Sequence, residues 1–576
     1  MNDNAPPTSQ RDATHKFSFF VACCFTLNYI IGSGFLTLPW AFYETGWALG
    51  LLVLTGVTVL SIVASWFILE AMARAELLVQ HYGSAGTNHH GSPLQGSGGS
   101  ADMDDLSQIS SSGSKSALSI NKASNGGTGG YYTLTPMLTP KPLTLAETSA
   151  HALLSSSSIR GEPSSISSLA AGAGLKSVKF DPDAMGDVKD CESCITIGTG
   201  TDTRALMVGA RKFEMPELCE LFLGAQVRRC YTVIIAVYMY GTLWAYSAVF
   251  ANAFASQLPI KNGHSVSYCL YLAVFACCVV PASLLELSEQ VYMQVSLSGC
   301  RLLMLGGMVL TVWNAHSYDV DAFGDLGETK HEAVVWSPSR VYLLLPIAAY
   351  ANIFHHSIPA LSQPVASKAD LAHVFTTSLL VSLGAYCAIG IVVSTYFGEH
   401  TQMASNLNWR SYVGLTDESG NVPMYARMAS FFIVLFPAFD VASAFPLNAI
   451  TLGNNMMSTF YGSHYARMEK NRFHRCIFRL LAACPPILLA FCESNLGEIT
   501  DFTGLTGFAV AFIFPALLSI YSERRLRDLG LPTRTQYSNI LTKGWSQSGT
   551  LVIGAFLVVF VTASLVALGP PTQKAP

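Results

Sequence analysis

The chain has 576 residues, 51% of them hydrophobic and 12% charged, with a formal net charge of −4 and a mean hydropathy of +0.38. Soluble domains carry about 25% charged residues, so a soluble globular protein is excluded; so small a net charge, with no basic-aromatic patch, gives no case for nucleic-acid binding. The apolar residues fall in blocks of roughly 20 to 28 with few charges, enough to cross about 30 Å of hydrocarbon as a helix, which leaves an all-α polytopic protein of the lipid bilayer.

Residues 1–16 are polar and predict a cytosolic N-terminal tail. The first apolar block, 17–42, is too long for a signal-peptide core and lacks a small-residue cleavage site, so it reads as a retained span. The second, 46–80, exceeds what a bilayer needs, and its end, around Glu70 to Gln80, is expected to project into water. Glu70 and Arg74 are spaced to pair along that helix end. Spans one and two thus occupy 17–82. The stretch 83–212 is rich in Ser, Gly, Thr and Ala ("GSPLQGSGGS") and holds too little apolar surface to offset the entropy of ordering. It predicts a disordered cytosolic insertion, open to cytosolic regulators, with Thr-Pro steps at Thr135 and Thr139 as candidate phosphorylation points. Cys191 and Cys194 form a lone CxxC with no second pair or nearby histidines, so no metal site is expected. Most of the 14 cysteines sit in apolar blocks as small hydrophobes.

Nine more spans are predicted within 213–568, at 229–257, 265–285, 290–314, 340–364, 371–397, 424–451, 477–493, 498–521 and 546–568, with 569–576 as a short tail. The count is eleven. Lys and Arg mark cytosolic loops. Arg467, Lys470, Arg472 and Arg475 follow span eight, and Arg524, Arg525, Arg527, Arg534 and Lys543 follow span ten. The loop after span five holds Asp319, Asp321, Asp325, Glu328 and Glu332 against Lys330 alone. The N-terminus and the insertion are therefore expected in the cytosol, and the C-terminus outside the cell or in a lumen. Plasma membrane and lysosome or vacuole are equally compatible with this pattern.

Span one carries "NYIIGSGFLTLPW", with Gly32-Ser33-Gly34 near its middle and Pro39 beyond. Inside lipid every backbone N–H and C=O needs a partner, and unwound backbone is tolerated only where it is buried in protein or lines a cavity. Glycine eases departure from the helix and proline cannot donate to a continuing ladder. Half-helix N-termini at that depth suit a carboxylate, and freed carbonyls suit a cation or an ammonium group. A packing interface of small residues is the alternative. Span six repeats the pattern with Pro346, His355-His356-Ser357, Pro359 and Pro364. Corresponding interruptions five spans apart point to a secondary transporter built from inverted repeats, with a small-molecule site between them.

Charge within a span is expensive and usually functional. Asp440 lies among apolar residues of span eight and is a candidate proton carrier; the alternative is a structural partner for a neighbouring helix. Asn28 offers an amide oxygen four residues before Gly32. At least one of His355 and His356 is a candidate for substrate contact. Arg301, a few residues into span five, calls for an acidic partner or a snorkelling route to the interface. Tyr238, Tyr240 and Tyr246 of span three fit helix packing better than an aromatic gate. No Walker-type loop, HExxH or GxSxG is present, so neither an ATP-driven pump nor an enzyme is expected, and no cofactor beyond a coupling H+ or Na+.

"LNYIIGSGFLTLPWAFYETGW" and "LGEITDFTGLTGFAVAFIFPALLSIY" resemble the first and tenth spans of the amino acid/auxin permease family of the APC superfamily. More narrowly, "FILEAMA", "HHSIPALSQPVASK", "LFPAFDVASAFPLNAITLGNN" and "PPILLAFCESNLGEITDFTGLTG" resemble the transmembrane protein 104 group, a branch of those permeases. The resemblance skips the insertion. It implies an eleven-helix, five-plus-five inverted-repeat (LeuT-like) transporter fold with helices 1 and 6 broken, and cation-coupled amino acid symport. By position, Ile31, Gly32, Ser33 and Gly34 would supply backbone to a substrate carboxylate, and Phe354, His355, His356 and Ser357 the opposing break. Asn28 would stand where related neutral amino acid transporters use an Asn for sodium. Where those relatives have a hydroxyl on span eight, this chain offers Asp440 and Ser443, which favours a proton over sodium. The sequence also leaves room for a transporter-like amino acid sensor that signals through its insertion.

Overall fold

The structure is a computed structural model and describes residues 16–87, 206–209, 211, 213–260, 263–284, 291–317, 322–324, 334–415, 421–461, 467–468 and 470–569. Most of the predicted insertion lies outside the described residues, including Thr135, Thr139, Cys191 and Cys194, as does the acidic loop from Asp319 to Glu332 apart from 322–324.

The first apolar block folds as two short helices, α1 (Phe19–Ile30) and α2 (Leu38–Thr45), joined through a 3-10 turn at Ser33–Leu36. A continuous helix α3 (Trp47–Thr87) follows. Beyond the insertion come α4 (Met215–Leu223), α5 (Ala225–Gln257), α6 (His264–Leu284) and α7 (Val291–Ser317). The sixth block is again divided, into α8 (Val341–Asn352) and α9 (Ile358–Ser362) around a 3-10 turn at His355–Ser357. Next are α10 (Leu371–Phe397), α11 (Met424–Tyr461) and α12 (Arg472–Cys492). The tenth block starts as α13 (Leu496–Phe508), passes through a π-helical turn at Ala509–Ile513 and continues as α14 (Phe514–Asp528); α15 (Gly544–Leu568) ends the bundle.

Among the described residues, 10 helical stretches are long and apolar enough to cross a membrane, and α1 is a shorter apolar helix. The block predicted as span one is divided, so neither of its halves reaches that length alone. Helix ends agree with the predicted spans to within about five residues except at the C-terminal ends of α3 and α14, which run seven residues further, to Thr87 and Asp528, and of α11, which runs ten further, to Tyr461.

The interior belongs to the broken segments. The most apolar window of the span-six stretch is 78% buried, against 17% for α15. Helix α15 instead turns Val552, Phe556, Val559 and Val566 outward, the surface expected of a helix facing lipid. Helix α8 packs between α13, α3 and α2, and α10 packs along α3, α1 and α2. Helix α5 runs along α11, α13 and α6. Each break is thereby enclosed by intact helices, which is where irregular backbone survives at membrane depth.

The end of α3 corrects an expectation. Glu70 and Arg74 do pair, at 3.2 Å, but they are 1% and 3% exposed and do not project into water. The loop after α14 folds over them: Ser538 donates to Glu70 Oε1 at 2.6 Å, and Arg74 donates to the Thr533 and Ser519 carbonyls. Burying the pair is tolerable because these bonds satisfy its remaining polar atoms. The same loop holds residues at the end of the predicted insertion. Leu206 bridges Thr535, the Tyr537 hydroxyl accepts from Val208 N–H and donates to the Lys368 carbonyl, and Gln363 donates to the Arg211 carbonyl. Helix α4 is absent from the predicted elements. Its signal lay in Glu214 and Glu217, where the Glu217 side chain accepts from Glu214 N–H at 3.4 Å, one half of a capping box.

Candidate substrate and coupling site

The two breaks touch. Gly34 sits so close to α8 that an added Cβ would lie 2.8 Å from Tyr350 Cδ1 and 3.0 Å from Ala351 Cα. That approach is what the second glycine of the triplet permits. Beside it, Ser33 Oγ and the Tyr350 hydroxyl are 2.9 Å apart. Ile31 and Ser33 are buried, and the Gly34 carbonyl accepts from Thr37 Oγ1 at 3.2 Å. Gly32 lies next to Tyr246 of α5.

Breaking a helix frees the carbonyls of its last turn. Here one side chain serves both breaks. The Tyr386 hydroxyl of α10 lies 3.1 Å from the Ile30 carbonyl and 3.0 Å from the Ala351 carbonyl, the closing residues of α1 and α8. Sequence reading missed Tyr386 because it stands in an uninterrupted span with no local irregularity.

The second break divides its residues among several tasks. Phe354 is fully buried and packs on Phe375 of α10, with ring centroids 5.5 Å apart. His355 uses Nε2 to meet the Ser61 carbonyl of α3 at 3.0 Å, which fixes that nitrogen as a donor. His356 faces the Tyr238 ring, with centroids 5.6 Å apart, and Tyr238 also lies edge-on to Tyr350 at 6.2 Å. The Nδ1 atoms of both histidines are buried without a hydrogen-bond partner. Ser357 is 8% exposed. The π turn also borders this break, Phe512 lying 6.5 Å from the His355 ring. The first break therefore meets the end of α8 through Tyr350 and Ala351, and Tyr238, which touches both Tyr350 and His356, connects it to the second break.

The predicted coupling residues are brought together by one they did not include. Arg301 of α7 donates through Nε and Nη2 to the two carboxylate oxygens of Asp440 at 2.8 and 2.7 Å. Its Nη1 donates to Asn28 Oδ1 at 2.7 Å. That same oxygen accepts from Ser298 Oγ at 2.6 Å. Arg301 is 4% exposed and Asp440 5%. A planar guanidinium suits this two-point grip on a carboxylate. It links α7 to α1 and α11, and Asn28 stands two residues before the end of α1, at the edge of the first break. Ser443 stands apart, its hydroxyl donating to the Asp440 carbonyl of its own helix at 2.8 Å. Leu27, Asn28, Ile31, Ser298, Arg301 and Leu302 line a shallow dimple beside the bridge, too tight to hold a water molecule. The sequence left Arg301 with an acidic partner or a snorkelling route; that it takes an acid, and that the acid is Asp440, 139 positions on, required the fold.

A family described as transmembrane amino acid transporter protein matches residues 15–96 and 207–528, on both sides of the insertion. A transmembrane protein 104 homolog of Dictyostelium discoideum is 25% identical over 57% of this chain and 67% of its own length. Human transmembrane protein 104 is 22% identical over 96% of this chain and 97% of its own length. A homolog from Drosophila melanogaster is 22% identical over 56% of this chain and 66% of its own. Family and relatives agree with the resemblance carried by the first and tenth spans.

Proposed function

The chain belongs to the transmembrane amino acid transporter family, and from that premise we propose that it is a cation-coupled secondary transporter of amino acids or similar small solutes, working by alternating access. It is read as an eleven-span protein of two inverted five-helix repeats, not an enzyme, with no cofactor beyond its coupling ion. The observation that carries this is the meeting of the two breaks: Gly34 packs on Tyr350 and Ala351, and both freed helix ends turn to the single hydroxyl of Tyr386. A solute carboxylate would bind the backbone of Ile31 to Gly34 and the turn from Phe354 to Ser357 from the other side.

Asn28, Asp440 and Ser443 are the proposed coupling region, with a proton favoured over sodium. A guanidinium already places a fixed positive charge among the oxygens of Asn28 and Asp440, and it works against a sodium ion bound there. Moving one net charge across 100 mV supplies about 2.3 kcal/mol, which supports roughly a fifty-fold gradient. The loop charges orient the protein with its N-terminus and insertion in the cytosol.

The deciding experiment is uptake of labelled amino acids into liposomes holding the purified chain, under a pH gradient and separately under a sodium gradient. Uptake driven by the pH gradient is expected; uptake driven by sodium alone would remove the proton. A second reading, an amino acid sensor, is favoured by one observation: at the end of the insertion, Arg211 is stapled to the exit of α9 through Gln363, and Leu206 to the loop before α15. Saturable binding with no flux under either gradient would select it.

A further inference from the structure

Asp501 has no place in the site described above. It lies on α13, 3% exposed, and neither carboxylate oxygen has a hydrogen-bond partner. Nearby hydroxyls do not turn to it: Thr500 donates to the Leu496 carbonyl and Thr503 to the Ile499 carbonyl, both within α13.

The surroundings explain the isolation. Helix α13 presses on its neighbours through a row of glycines. A Cβ at Gly497 would lie 2.6 Å from Met403 Sδ, one at Gly504 would overlap the Pro346 carbonyl, and one at Gly507 would overlap Ile353. Asp501 stands four residues after the first and three before the second, so it shares this face and is pressed into the same seam. Helices α8 and α13 run in the same direction here. Pro346 has no N–H to offer the Tyr342 carbonyl one turn back, so α8 presents an acceptor and no donor at about the level of Asp501.

Among the described residues, no positive charge answers it. Helix α8 carries Tyr342 and Tyr350 as its titratable groups, and Tyr350 is engaged by Ser33. Helix α5 carries Tyr231, Tyr238, Tyr240, Tyr246 and Cys230, and its Arg228 and Arg229 lie at the far end, beside the contact of Tyr231 with Phe514. Arg228 is paired with Glu220, and Arg229 is exposed. Neither α15 nor the π turn has a titratable side chain. The loop bearing Met403 holds Glu399, His400 and Arg410, all exposed. On α13 itself the neighbour is another acid, Glu498, bonded by Asn495. Arg301 and Arg340 are committed to Asp440 and Glu44. An ionised carboxylate here would have neither water nor a counter-charge, and such a group is held as the neutral acid instead.

We propose that Asp501 is the proton-binding carboxyl of the transport cycle, and that Asp440, gripped by Arg301, serves the coupling region as a structural partner rather than as its proton carrier. The proposal rests on the transporter reading. Its route to the solute site is short. Gly507, six residues on, touches Ile353 at the second break, about 9 Å along the helix axis. Releasing the proton leaves a bare charge in the α8–α13 seam, which opens the seam to water and moves the break.

Two measurements test this on the full chain. In infrared difference spectra of the purified protein at neutral pH, Asp501→Asn removes a protonated-carboxyl C=O band that Asp440→Asn leaves in place. Asp501→Glu retains the band at a shifted frequency, which guards against a folding defect in the amide variant. A band unaffected by Asp501→Asn overturns the proposal. In liposomes, Asp501→Asn keeps amino acid counterflow but loses accumulation driven by a pH gradient, at least ten-fold. Native-like accumulation by that variant also overturns it. If the native protein moves no amino acid at all, the transporter reading fails, and the infrared result still decides whether Asp501 holds a proton.

Discussion

Replacing either partner of the Arg301–Asp440 pair tests the site most directly. Both side chains are about 95% buried and meet through two bonds of 2.7 and 2.8 Å. With charge centres about 4 Å apart, the Coulomb attraction is about 4 kcal/mol at an effective dielectric constant of 20. Removing one partner forfeits this and strands a buried charge, so Arg301→Met or Asp440→Leu alone should cost about 3–5 kcal/mol. Replacing both leaves no charge to strand, and the double variant should recover most of the loss. The two residues must then show a coupling energy of several kcal/mol in a double-mutant cycle, far outside the ~0.5 kcal/mol scatter of independent sites. The assay is reversible unfolding in mixed micelles, followed by circular dichroism. Asn28 complicates the arginine variant, because its Oδ1 loses one of two donors; Asn28→Leu on the double-variant background measures that share. Additive losses for the pair would falsify the bridge as described.

Other consequences are independent of the charge bridge. Gly34→Ala places a Cβ against backbone at Ala351, which cannot yield as a side-chain tip can; the overpacking should cost about 1–3 kcal/mol and abolish uptake, read by thermal unfolding and flux together. Tyr386→Phe removes the hydroxyl shared by two carbonyls at the breaks; Ile30 keeps the Gly32 N–H, so the stranded group is the Ala351 carbonyl, a loss of about 1–3 kcal/mol; native stability with native uptake would deny the hydroxyl its role. At the far end, Tyr537→Phe removes the links to Val208 and Lys368, so trypsin should cut after Arg211 faster, scored by mass spectrometry. Burial pushes the Tyr537 phenol from 10 up to about 12. The folded state thus holds the proton more tightly, so this contribution is complete below pH 10 and fades as pH rises toward 12. Cleavage at Arg211 in brief alkaline pulses should rise over that window in the native chain and stay level in Tyr537→Phe.

What the sequence disclosed and what it withheld divide along a physical line. Glycine and proline act on the backbone at their own position, so the breaks at Gly32–Gly34 and His355–Ser357 could be placed before any fold was known. Helix length follows from local apolar runs, and the spans were legible for the same reason. Partners are different, because a side chain's environment is set by residues distant in the chain. Glu70 and Arg74 read as a solvated helix end, since the residues that bury them, Thr533 and Ser538, lie beyond α14. Asp440 read as a candidate proton carrier or as a structural partner for a neighbouring helix, and the choice between them lay with Arg301, which arrives from another helix. Asp501 attracted no attention, since its neighbours Glu498 and Thr500 made the segment look polar, and only the seam with α8 strips that polarity away. The two carboxylates therefore exchange their apparent roles once the helices are assembled. The one most isolated in sequence is paired in space, and the one in polar sequence is alone. An intramembrane acid is therefore judged for proton chemistry by the charges that packing brings to it, and by that measure Asp501 is the stronger candidate.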